Sequence, residues 1–543
     1  MELSARLQRN LLAGVAIATA LTAALTIVLA RTIDLAGPAR PAIFRYLFAR
    51  DEPAAAWLAL ALLAASLAAA FASGRVYDRL VMQVASRPWP FIGTVTAGLV
   101  AFALLVYRAH PLSMDEYAAV FQAQVFARFR LHGEVPPGLV DRFIPPAKFW
   151  FIEAKPSGEL ISAYLPSFSL MLAPFAAAGV PWLLNPLIGG ATLAAIWRLA
   201  RLLWPDTAAP GWAVLLAAAS PQFTVNAMSY YSMPAHLLAS VLFAIAMLED
   251  RLFTAGVIGS IALTLHNPLP HALFAVPWIA SVAARPPRLR KLARLAAGYL
   301  PLSLLLGAGW YALRSGFGPQ QAGPAAAAGL SKFTALLRTA FTWPSAQLAV
   351  ARLESVCELS QWAVPGLLFI AIAAAWRFRA RGAARLLALS AVTTFAGYFF
   401  VPYDQGHGWG FRYLHAAWAA LPILAAGLLV QGGARLRNMA CALAAGSLAI
   451  CTPQRLLQVR GFIEGQLGQI PSPPERPALE LVLVRISRGY YSVDLVQNDP
   501  FLDSDRWMMF SRGPAEDERF LQAAFPGARK VAESPVATVW RLK

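Results

Sequence analysis

The sequence predicts an all-α polytopic membrane protein that carries a small soluble α/β domain at its C-terminus. Three observations support this fold class. Of the 543 residues, 58% are hydrophobic and only 14% are charged, far less charge than a soluble protein of this length carries. Apolar runs of about the ~20 residues that cross a bilayer recur along the chain. After residue 453 the composition changes abruptly to mixed polar sequence.

Roughly thirteen apolar segments are predicted to be transmembrane helices. They lie near residues 11–30, 54–73, 89–107, 183–202, 211–228, 232–249, 252–266, 270–284, 295–313, 362–376, 385–402, 413–431 and 437–452. Some are shorter than a full crossing, which is tolerated where protein or water surrounds them. The first follows MELSARLQRN and is too long for the apolar part of a signal peptide, so we expect an uncleaved span.

The net charge of +18 is explained by membrane orientation rather than by a nucleic-acid partner. The densest basic clusters lie in short links between apolar runs, at 285–294, 377–385 and 435–437. An even number of predicted spans separates each cluster from the next, so all three are predicted to be cytoplasmic. Because the basic links follow the positive-inside rule, we expect membrane lipids but no nucleic acid as partners.

The segment 160–180 decides which side of the membrane the loop before it faces. It contains ISAYLPSFSLMLAPFAAAG, whose prolines Pro166 and Pro174 and several hydroxyl groups are typical of a broken or re-entrant helix. If the segment enters the bilayer and turns back, the loop 108–160 faces outward and the basic N-terminus stays inside. If it crosses fully, that loop is cytoplasmic. We adopt the outward orientation.

The predicted organisation has four parts. They are N-terminal transmembrane helices at 1–107, an outer loop at 108–160, a transmembrane core at 161–453 and a small soluble domain at 454–543. Strands are predicted near 479–486, 507–510 and 536–542, and a helix near 515–525. PSPPERP is the expected linker. The segment 314–361 is predicted to be outward, with the glycines and prolines of a mobile flap.

The outer loop begins with an acidic pair, Asp115 and Glu116. Apolar residues follow them at helical spacing, namely Tyr117, Val120, Phe121, Val125, Phe126 and Phe129. This stripe predicts a helix that lies flat on the bilayer and starts with the two carboxylates. Acidic residues at a helix N-terminus also complement the macrodipole, so a purely structural role for the pair is an equal alternative at this point.

The chain lacks the motifs of soluble-cofactor chemistry. It has no P-loop, no GxGxxG between a strand and a helix, no HExxH and no Cys/His metal cluster, and its three cysteines suggest no disulfide framework. No cofactor is expected with certainty, although a divalent metal is left open. A membrane enzyme of this kind takes an activated substrate from the bilayer, which points to a lipid-linked donor with a phosphate leaving group.

Such chemistry needs a base for an acceptor hydroxyl and a cation for the departing phosphate. Asp115 is the candidate base, with Glu116 as its alternate or as a ligand-positioning group. Arg412 is the main candidate for the phosphate, because guanidinium binds phosphate oxygens bidentately and the glycines of GHGWG allow close backbone approach. The alternative is an interfacial arginine that reaches to headgroups.

Further candidates come from the same outer loops. The additional phosphate-binding candidates are Lys155, His266 and His271, and the substrate-binding candidates are Tyr231, Tyr403, Asp404 and His407. Each candidate has a structural alternative. The histidines are also typical of helix ends, and Lys155 and the residues of 403–407 are also typical of solvated loops. The aromatic runs at 149–151 and 230–231 are typical of the interfacial aromatic belt.

Three stretches resemble the GT-C superfamily of polytopic glycosyltransferases, specifically its protein-mannosyltransferase and aminoarabinose-transferase branch. They are MDEY after an early span, the block that begins KPSGELISAYLPSFSLMLAPFAAAG, and GHGWGFRYLHAAWAALPILAAGL. Together they cover most of residues 108–431. The proline-rich pattern usual before the re-entrant helix is altered here to AYLPSFS, and two spans precede the one that leads to the acidic loop.

The resemblance implies an inverting transfer from a polyprenyl-phosphate sugar to a glycan, lipid or protein acceptor. The active site would face the periplasm from the bacterial inner membrane. An acidic residue of the first outer loop acts as base in such enzymes, which corresponds to Asp115 or Glu116. Basic residues of later outer loops hold the lipid phosphate, which corresponds to Arg412 and, less directly, to Lys155 or His271.

Three other functions are compatible with parts of the sequence. A polymerase or ligase of lipid-linked glycans also uses arginine and histidine in outer loops, but typically without an early acidic pair. A transporter or flippase would place ionisable residues in mid-span, and the predicted spans carry almost none. A scaffold without catalysis would tolerate the loss of the carboxylates.

Overall fold

The computed structural model describes residues 3–35, 41–71, 75–144, 151–317, 342–472 and 479–542. It is predominantly helical, with a small sheet near the C-terminus. Parts of three predicted features lie outside the described residues, namely the flap at 314–361, the PSPPERP linker and the aromatic run at 149–151. Helices with a small C-terminal sheet agree with the fold class predicted from the sequence.

Twelve of the described helices lie before residue 264. They are α1 (Ala5–Arg31), α2 (Ile43–Ala69), α3 (Arg75–Ser86), α4 (Pro88–Leu105), α5 (Met114–Ala127), α6 (Val140–Phe143), α7 (Ser167–Ala177), α8 (Leu184–Leu203), α9 (Ala209–Ala218), α10 (Pro221–Asn226), α11 (Met233–Leu248) and α12 (Leu252–Leu263). Short 3₁₀ turns at Pro137–Leu139 and Pro181–Leu183 precede α6 and α8.

The remaining described helices follow in the second half. They are α13 (Leu269–Ala283), α14 (Arg288–Leu302), α15 (Gly309–Arg314), α16 (Ala346–Gln361), α17 (Leu367–Arg377), α18 (Gly382–Phe399), α19 (Ala420–Leu429), α20 (Ala434–Gly446), α21 (Thr452–Leu467) and α22 (Pro514–Ala524). π-helical turns at Ser303–Ala308 and Ser447–Cys451 join α14 to α15 and α20 to α21, and 3₁₀ turns lie at Arg412–Ala417 and Ser492–Leu495.

Six helical stretches of the described chain are long and apolar enough, by length and composition, to cross a membrane. They are Ala5–Arg31, Ile43–Ala69, Pro88–Leu105, Pro181–Leu203, Arg288–Arg314 and Ala434–Leu467. Seven further apolar helices have 10–17 residues, among them α7, α9 and α11. The multi-pass character of the chain follows from these stretches, whereas the count of thirteen crossings stays a prediction.

Proline explains why one predicted span is interrupted and where the helix of the predicted re-entrant segment begins. The predicted span 211–228 is two helices, α9 and α10, because Pro221 has no N–H to continue the first one. The re-entrant segment contains α7, which starts after Pro166 and has only 11 residues. At 1.5 Å per residue, α7 rises about 16 Å, about half of the ~30 Å hydrocarbon core. This length fits a helix that enters the bilayer and turns back.

The C-terminal domain is a four-stranded sheet in the order β5-β4-β7-β6, with α22 between β5 and β6 in the chain. Its strands are β4 (Glu480–Val484), β5 (Arg506–Phe510), β6 (Arg529–Glu533) and β7 (Ala537–Arg541). β4 is buried along its whole length and pairs parallel with β5 and antiparallel with β7. Because α21 continues to Leu467, the domain boundary predicted at residue 454 falls inside a helix.

Strand β6 was absent from the sequence prediction. Its side chains are mostly exposed and include arginine, lysine and glutamate, so it shows no hydrophobic alternation. It pairs antiparallel with β7 with an irregularity between Lys530 and Ala532. A second, small sheet in the order β1-β3-β2 consists of β1 (Gly133–Glu134), β2 (Ile152–Ala154) and β3 (Glu159–Ser162).

Helix α5 lies beneath the C-terminal domain, with its apolar stripe packed in protein rather than against lipid. Tyr117, Phe121 and Val125 share one buried cluster with Leu481 of β4 and Met509 of β5. The prediction that this stripe rests on the bilayer is therefore wrong for these residues, because they pack against the sheet of the C-terminal domain. An apolar stripe in a sequence predicts a buried face, but it does not tell whether protein or lipid covers that face.

Polar contacts also join the start of α5 to the loop between β4 and β5. Met114 N donates to Asp494 Oδ1 at 3.1 Å, and the Tyr117 hydroxyl donates to Asn498 O at 2.8 Å. Just before the helix, Pro111 O accepts from the Gln497 side chain at 2.7 Å. The first turn of α5 is thus held from the side of the C-terminal domain.

Candidate active site

Helix α5 begins with a capping box, and one of the two adjacent carboxylates forms part of this box. Ser113 is the N-cap, and Glu116 at N3 returns to the N-cap backbone. Glu116 Oε2 accepts from Leu112 N at 2.7 Å and from Ser113 N at 3.2 Å, while Oε1 accepts from the Tyr107 hydroxyl and from Tyr230 N, both at 2.8 Å. Four donors therefore hold a fully buried carboxylate inside the protein.

The other carboxylate, Asp115, meets Arg412 across almost three hundred residues of sequence. Arg412 Nη2 donates to Asp115 Oδ2 at 2.9 Å. The Tyr164 hydroxyl donates to the other oxygen, Asp115 Oδ1. The structure thus brings together the candidate base and the candidate phosphate-binding cation, and it adds a tyrosine to the pair.

The loop before Arg412 folds back so that its carbonyls and the ring of Tyr231 fix the guanidinium. Arg412 Nη1 donates to Gln405 O at 2.9 Å and also to His407 O. The guanidinium carbon lies 4.5 Å from the centre of the Tyr231 ring, a cation–π contact. Gly408 has φ +156°, and a Cβ there would overlap the Arg412 side chain, so the loop requires glycine at this position.

The site's electrostatics favour an ionised Asp115. Burial opposes ionisation of Asp115, but the Arg412 guanidinium, His266 and the Tyr164 hydroxyl outweigh it and hold the pKa of Asp115 below its usual value. Burial likewise disfavours the charge of Arg412, but Asp115 outweighs it and raises the pKa of Arg412.

Glu116 experiences a different environment from Asp115. Burial raises the pKa of Glu116 to about 7, although hydrogen bonds from Tyr230 N, the Tyr107 hydroxyl and Leu112 N favour the ionised form. Two neighbouring carboxylates therefore have separated pKa values, a pattern typical of sites that assign them different roles.

The Asp115–Arg412 pair lines a cavity of about 100 Å³ between the first turns of several helices. The polar and aromatic residues that line it with the pair are Tyr164, Phe168, Ser169, Tyr231, Ser232, His236, His266, Asn267, Tyr398 and Tyr413. The His266 ring packs on Tyr164 with the ring centres 3.8 Å apart. The cavity offers hydroxyl, imidazole and guanidinium groups around a single carboxylate, an arrangement suited to a sugar phosphate.

Of the remaining predicted residues, the structure brings two to this cavity and leaves five elsewhere. His266 and Tyr231 line it. His271 is buried and its Nε2 lies 2.7 Å from the Tyr299 hydroxyl. Lys155 lines a separate cavity and pairs with Glu159 at 2.6 Å.

The three predicted residues of the last outer loop lie around the cavity without lining it. Tyr403 is 60% exposed. Asp404 Oδ1 accepts from Gly406 N at 2.9 Å and so shapes the loop. His407 is buried, with its Nδ1 3.7 Å from Asp494 Oδ2 of the C-terminal domain.

Tyr164 and His236 are two of the cavity residues that were not predicted from the sequence. Tyr164 lies within AYLPSFS, but an aromatic residue beside a proline near an interface is equally typical of the aromatic belt. His236 was the clearer missed signal, since an ionisable residue inside an apolar helix is a functional candidate by default. Within the described part of the chain, no group of three or more His, Cys, Asp or Glu residues is arranged to hold a metal ion.

Comparison with solved structures finds this fold in the crystal structure of ArnT from Cupriavidus metallidurans bound to undecaprenyl phosphate. The TM-score is 0.54 at 11% sequence identity, and the match covers 83% of this chain and 98% of that one. The crystal structure of the same ArnT in the apo state gives a TM-score of 0.53 at 13% identity, covering 84% and 98%.

No family model matches the sequence, and no curated protein matches it. The structural likeness confirms the GT-C-like polytopic fold that the sequence resemblance predicted. The matched share of the chain is larger than residues 108–431, so the likeness extends beyond the three motifs.

Proposed function

We propose that this chain is an integral-membrane glycosyltransferase that uses a polyprenyl-phosphate sugar as donor and transfers the sugar at the outer face of the membrane. One observation carries the proposal: Asp115 and Arg412 meet at 2.9 Å in the wall of one cavity. The solved ArnT of the same fold was crystallised with undecaprenyl phosphate, which supports a lipid-linked donor here.

The proposed reaction is a single in-line displacement. Asp115 takes the proton of the acceptor hydroxyl while the acceptor oxygen forms a bond to the anomeric carbon. The bond from that carbon to the phosphate oxygen breaks, and its electron pair leaves with the polyprenyl phosphate. One displacement inverts the anomeric centre. General base catalysis of this type contributes about 10²–10⁴-fold to the rate.

Arg412 is proposed to hold the phosphate that departs. Its guanidinium keeps its charge at any physiological pH, and it is already oriented by two carbonyls and the Tyr231 ring. A preoriented cation stabilises charge that develops on a leaving group without reorganising at the moment of reaction. Asp115 is the anion that pairs with this guanidinium in the structure.

Asp115 rather than Glu116 is assigned as the base. Asp115 lines the cavity, whereas Glu116 accepts four hydrogen bonds within the protein and is fully buried. The pKa of Asp115, below its usual value, keeps the carboxylate ionised at neutral pH, the form that a base requires. Glu116 is assigned the role of fixing the first turn of α5, which carries Asp115.

The test of the proposed function starts with the purified protein in nanodiscs and a panel of undecaprenyl-phosphate monosaccharides. Donor consumption is measured as release of undecaprenyl phosphate, in the presence of membrane extracts that supply acceptors. Envelope glycans of cells with and without the gene are compared by mass spectrometry. Release that requires Asp115 supports the proposal, and release of undecaprenyl diphosphate from a preassembled oligosaccharide lipid would instead favour a polymerase or ligase.

A further inference from the structure

One residue of the cavity has no role in the displacement described above. His236 lies in the first turn of α11 and lines the cavity with Asp115 and Arg412. It is 3% exposed, and among the described residues neither of its ring nitrogens has a hydrogen-bond partner. Buried polar groups are nearly always hydrogen-bonded, so this imidazole calls for a partner that the protein itself does not supply.

Two other buried histidines nearby have a hydrogen-bond partner within the protein. His271 Nε2 contacts the Tyr299 hydroxyl at 2.7 Å, and His415 Nδ1 contacts Gln222 Nε2 at 3.0 Å. The ring nitrogens of buried His407 also lack a hydrogen-bond partner among the described residues, but His407 does not line the cavity. His236 therefore combines two ring nitrogens that have no partner with a place in the wall of the cavity where the donor would bind.

Helix N-termini surround the same space. First-turn residues of α7 (Phe168 and Ser169), of α11 (Met233 and His236) and of α13 (Pro270) line the cavity. Each of these helices has 11 or more residues, and the N-terminus of a helix carries the positive end of its dipole. Together with Arg412 they favour an anion in the cavity, and Asp115 is the anion that pairs with Arg412 in the structure.

We propose that His236 is a donor-binding residue whose ring N–H hydrogen-bonds a phosphate oxygen of the polyprenyl-phosphate sugar. The phosphate then lies between Arg412 and the N-terminus of α11. This inference rests on the proposed function and adds to it the second phosphate ligand. A neutral imidazole suits the role, because it offers one donor and no charge that would compete with Arg412 for Asp115.

The experiment measures binding of undecaprenyl phosphate and of undecaprenol, which lacks the phosphate, to the full-length protein in nanodiscs. The variants are His236→Leu, His236→Gln, Arg412→Ala and, as a buried histidine outside the cavity, His271→Leu. We expect His236→Leu to bind undecaprenyl phosphate about tenfold more weakly or worse, since a hydrogen bond to a charged group is lost. Its affinity for undecaprenol should not change.

Thermal unfolding separates this role from a structural one. His236→Leu removes an unsatisfied buried group, so its unfolding temperature without ligand should equal or exceed that of the wild type. His271→Leu should lower the unfolding temperature, because it leaves the Tyr299 hydroxyl without its partner, yet keep the affinity for undecaprenyl phosphate. His236→Gln keeps an N–H donor and should recover most of the lost affinity.

The outcomes distinguish this inference from the proposed function. If the wild type does not bind undecaprenyl phosphate more tightly than undecaprenol, both fail. If Arg412→Ala loses the preference for the phosphate while His236→Leu and the wild type bind alike, only the role of His236 is overturned. An equal loss for both lipids in His236→Leu would also overturn it, because His236 would then contact the isoprenoid chain.

Discussion

Replacing Asp115 by asparagine separates chemistry from binding. The amide cannot take a proton, so transfer should fall by about 10²–10⁴-fold, the usual contribution of a general base. Binding should move in the opposite direction. Arg412 donates to Asp115 at 2.9 Å, and a hydrogen bond between charged groups contributes about 1.5–3 kcal/mol that an incoming phosphate must first replace.

In Asp115→Asn no carboxylate competes with the phosphate for Arg412. Undecaprenyl phosphate should therefore bind this variant more tightly, by about 10- to 140-fold at most. Release of undecaprenyl phosphate from its monosaccharide conjugates gives the rate, and titration of the protein in nanodiscs gives the affinity. Thermal unfolding of the variant is recorded in parallel, because a buried arginine that loses its partner destabilises the fold. Two carbonyls still accept from Arg412 and limit that loss.

The matched control is Asp503→Asn. Asp503 pairs with Arg128 on the surface, where both side chains are about half exposed, and such pairs contribute ~0–1 kcal/mol. It should change neither rate nor affinity. Turnover by Asp115→Asn close to that of the wild type would refute the role of Asp115 as base. Loss of donor binding in a folded variant would refute the competition between Asp115 and the phosphate.

Three further substitutions probe the groups around the pair. Tyr164→Phe removes a hydrogen bond that lowers the pKa of Asp115, so the acid limb of the pH–rate profile should shift to higher pH; an unchanged profile would contradict the contact. Gly410 has φ +64°, and the Cβ that Gly410→Ala adds would overlap Gln222. The resulting strain should lower the free energy of unfolding by about 1–3 kcal/mol, so the unfolding temperature and the donor affinity should both fall. Glu116→Gln replaces a carboxylate oxygen by an amide group, whose hydrogens would face buried N–H donors. This change should lower the free energy of unfolding by about 1–3 kcal/mol, measured by thermal denaturation. The folded fraction of Glu116→Gln should still transfer faster than Asp115→Asn, and the reverse order would exchange the roles of the two carboxylates.

Local patterns in the sequence predicted a helical membrane protein with a small C-terminal α/β domain, and they named Asp115 and Arg412 as site candidates. Long apolar runs report directly on membrane helices, since the bilayer imposes their length and composition. The pairing of Asp115 with Arg412 was expected because a base and a phosphate-binding cation must meet in one cavity for the implied chemistry. The structure places the two side chains in contact. Their catalytic roles remain proposals.

Tertiary arrangement explains what the sequence did not reveal. The apolar stripe of α5 predicts burial but not the identity of the covering surface, and a soluble sheet takes the place assigned to lipid. Strand β6 has too few buried side chains to produce an alternating pattern. The contact of Tyr164 with Asp115 joins residues 49 positions apart through the packing of α5 beside α7 and the turn before it.

The attachment of α5 to the C-terminal domain has a consequence for how this protein can be altered. The turn that orients Asp115 is fastened by Asp494 and Asn498, which belong to the extramembrane part of the chain. Shortening the protein after its last apolar helix would therefore remove the contacts from Asp494 and Asn498, although the hydrogen bonds of Glu116 to the rest of the chain would stay. The position of Asp115 thus depends on a part of the protein that lies outside the apolar helices.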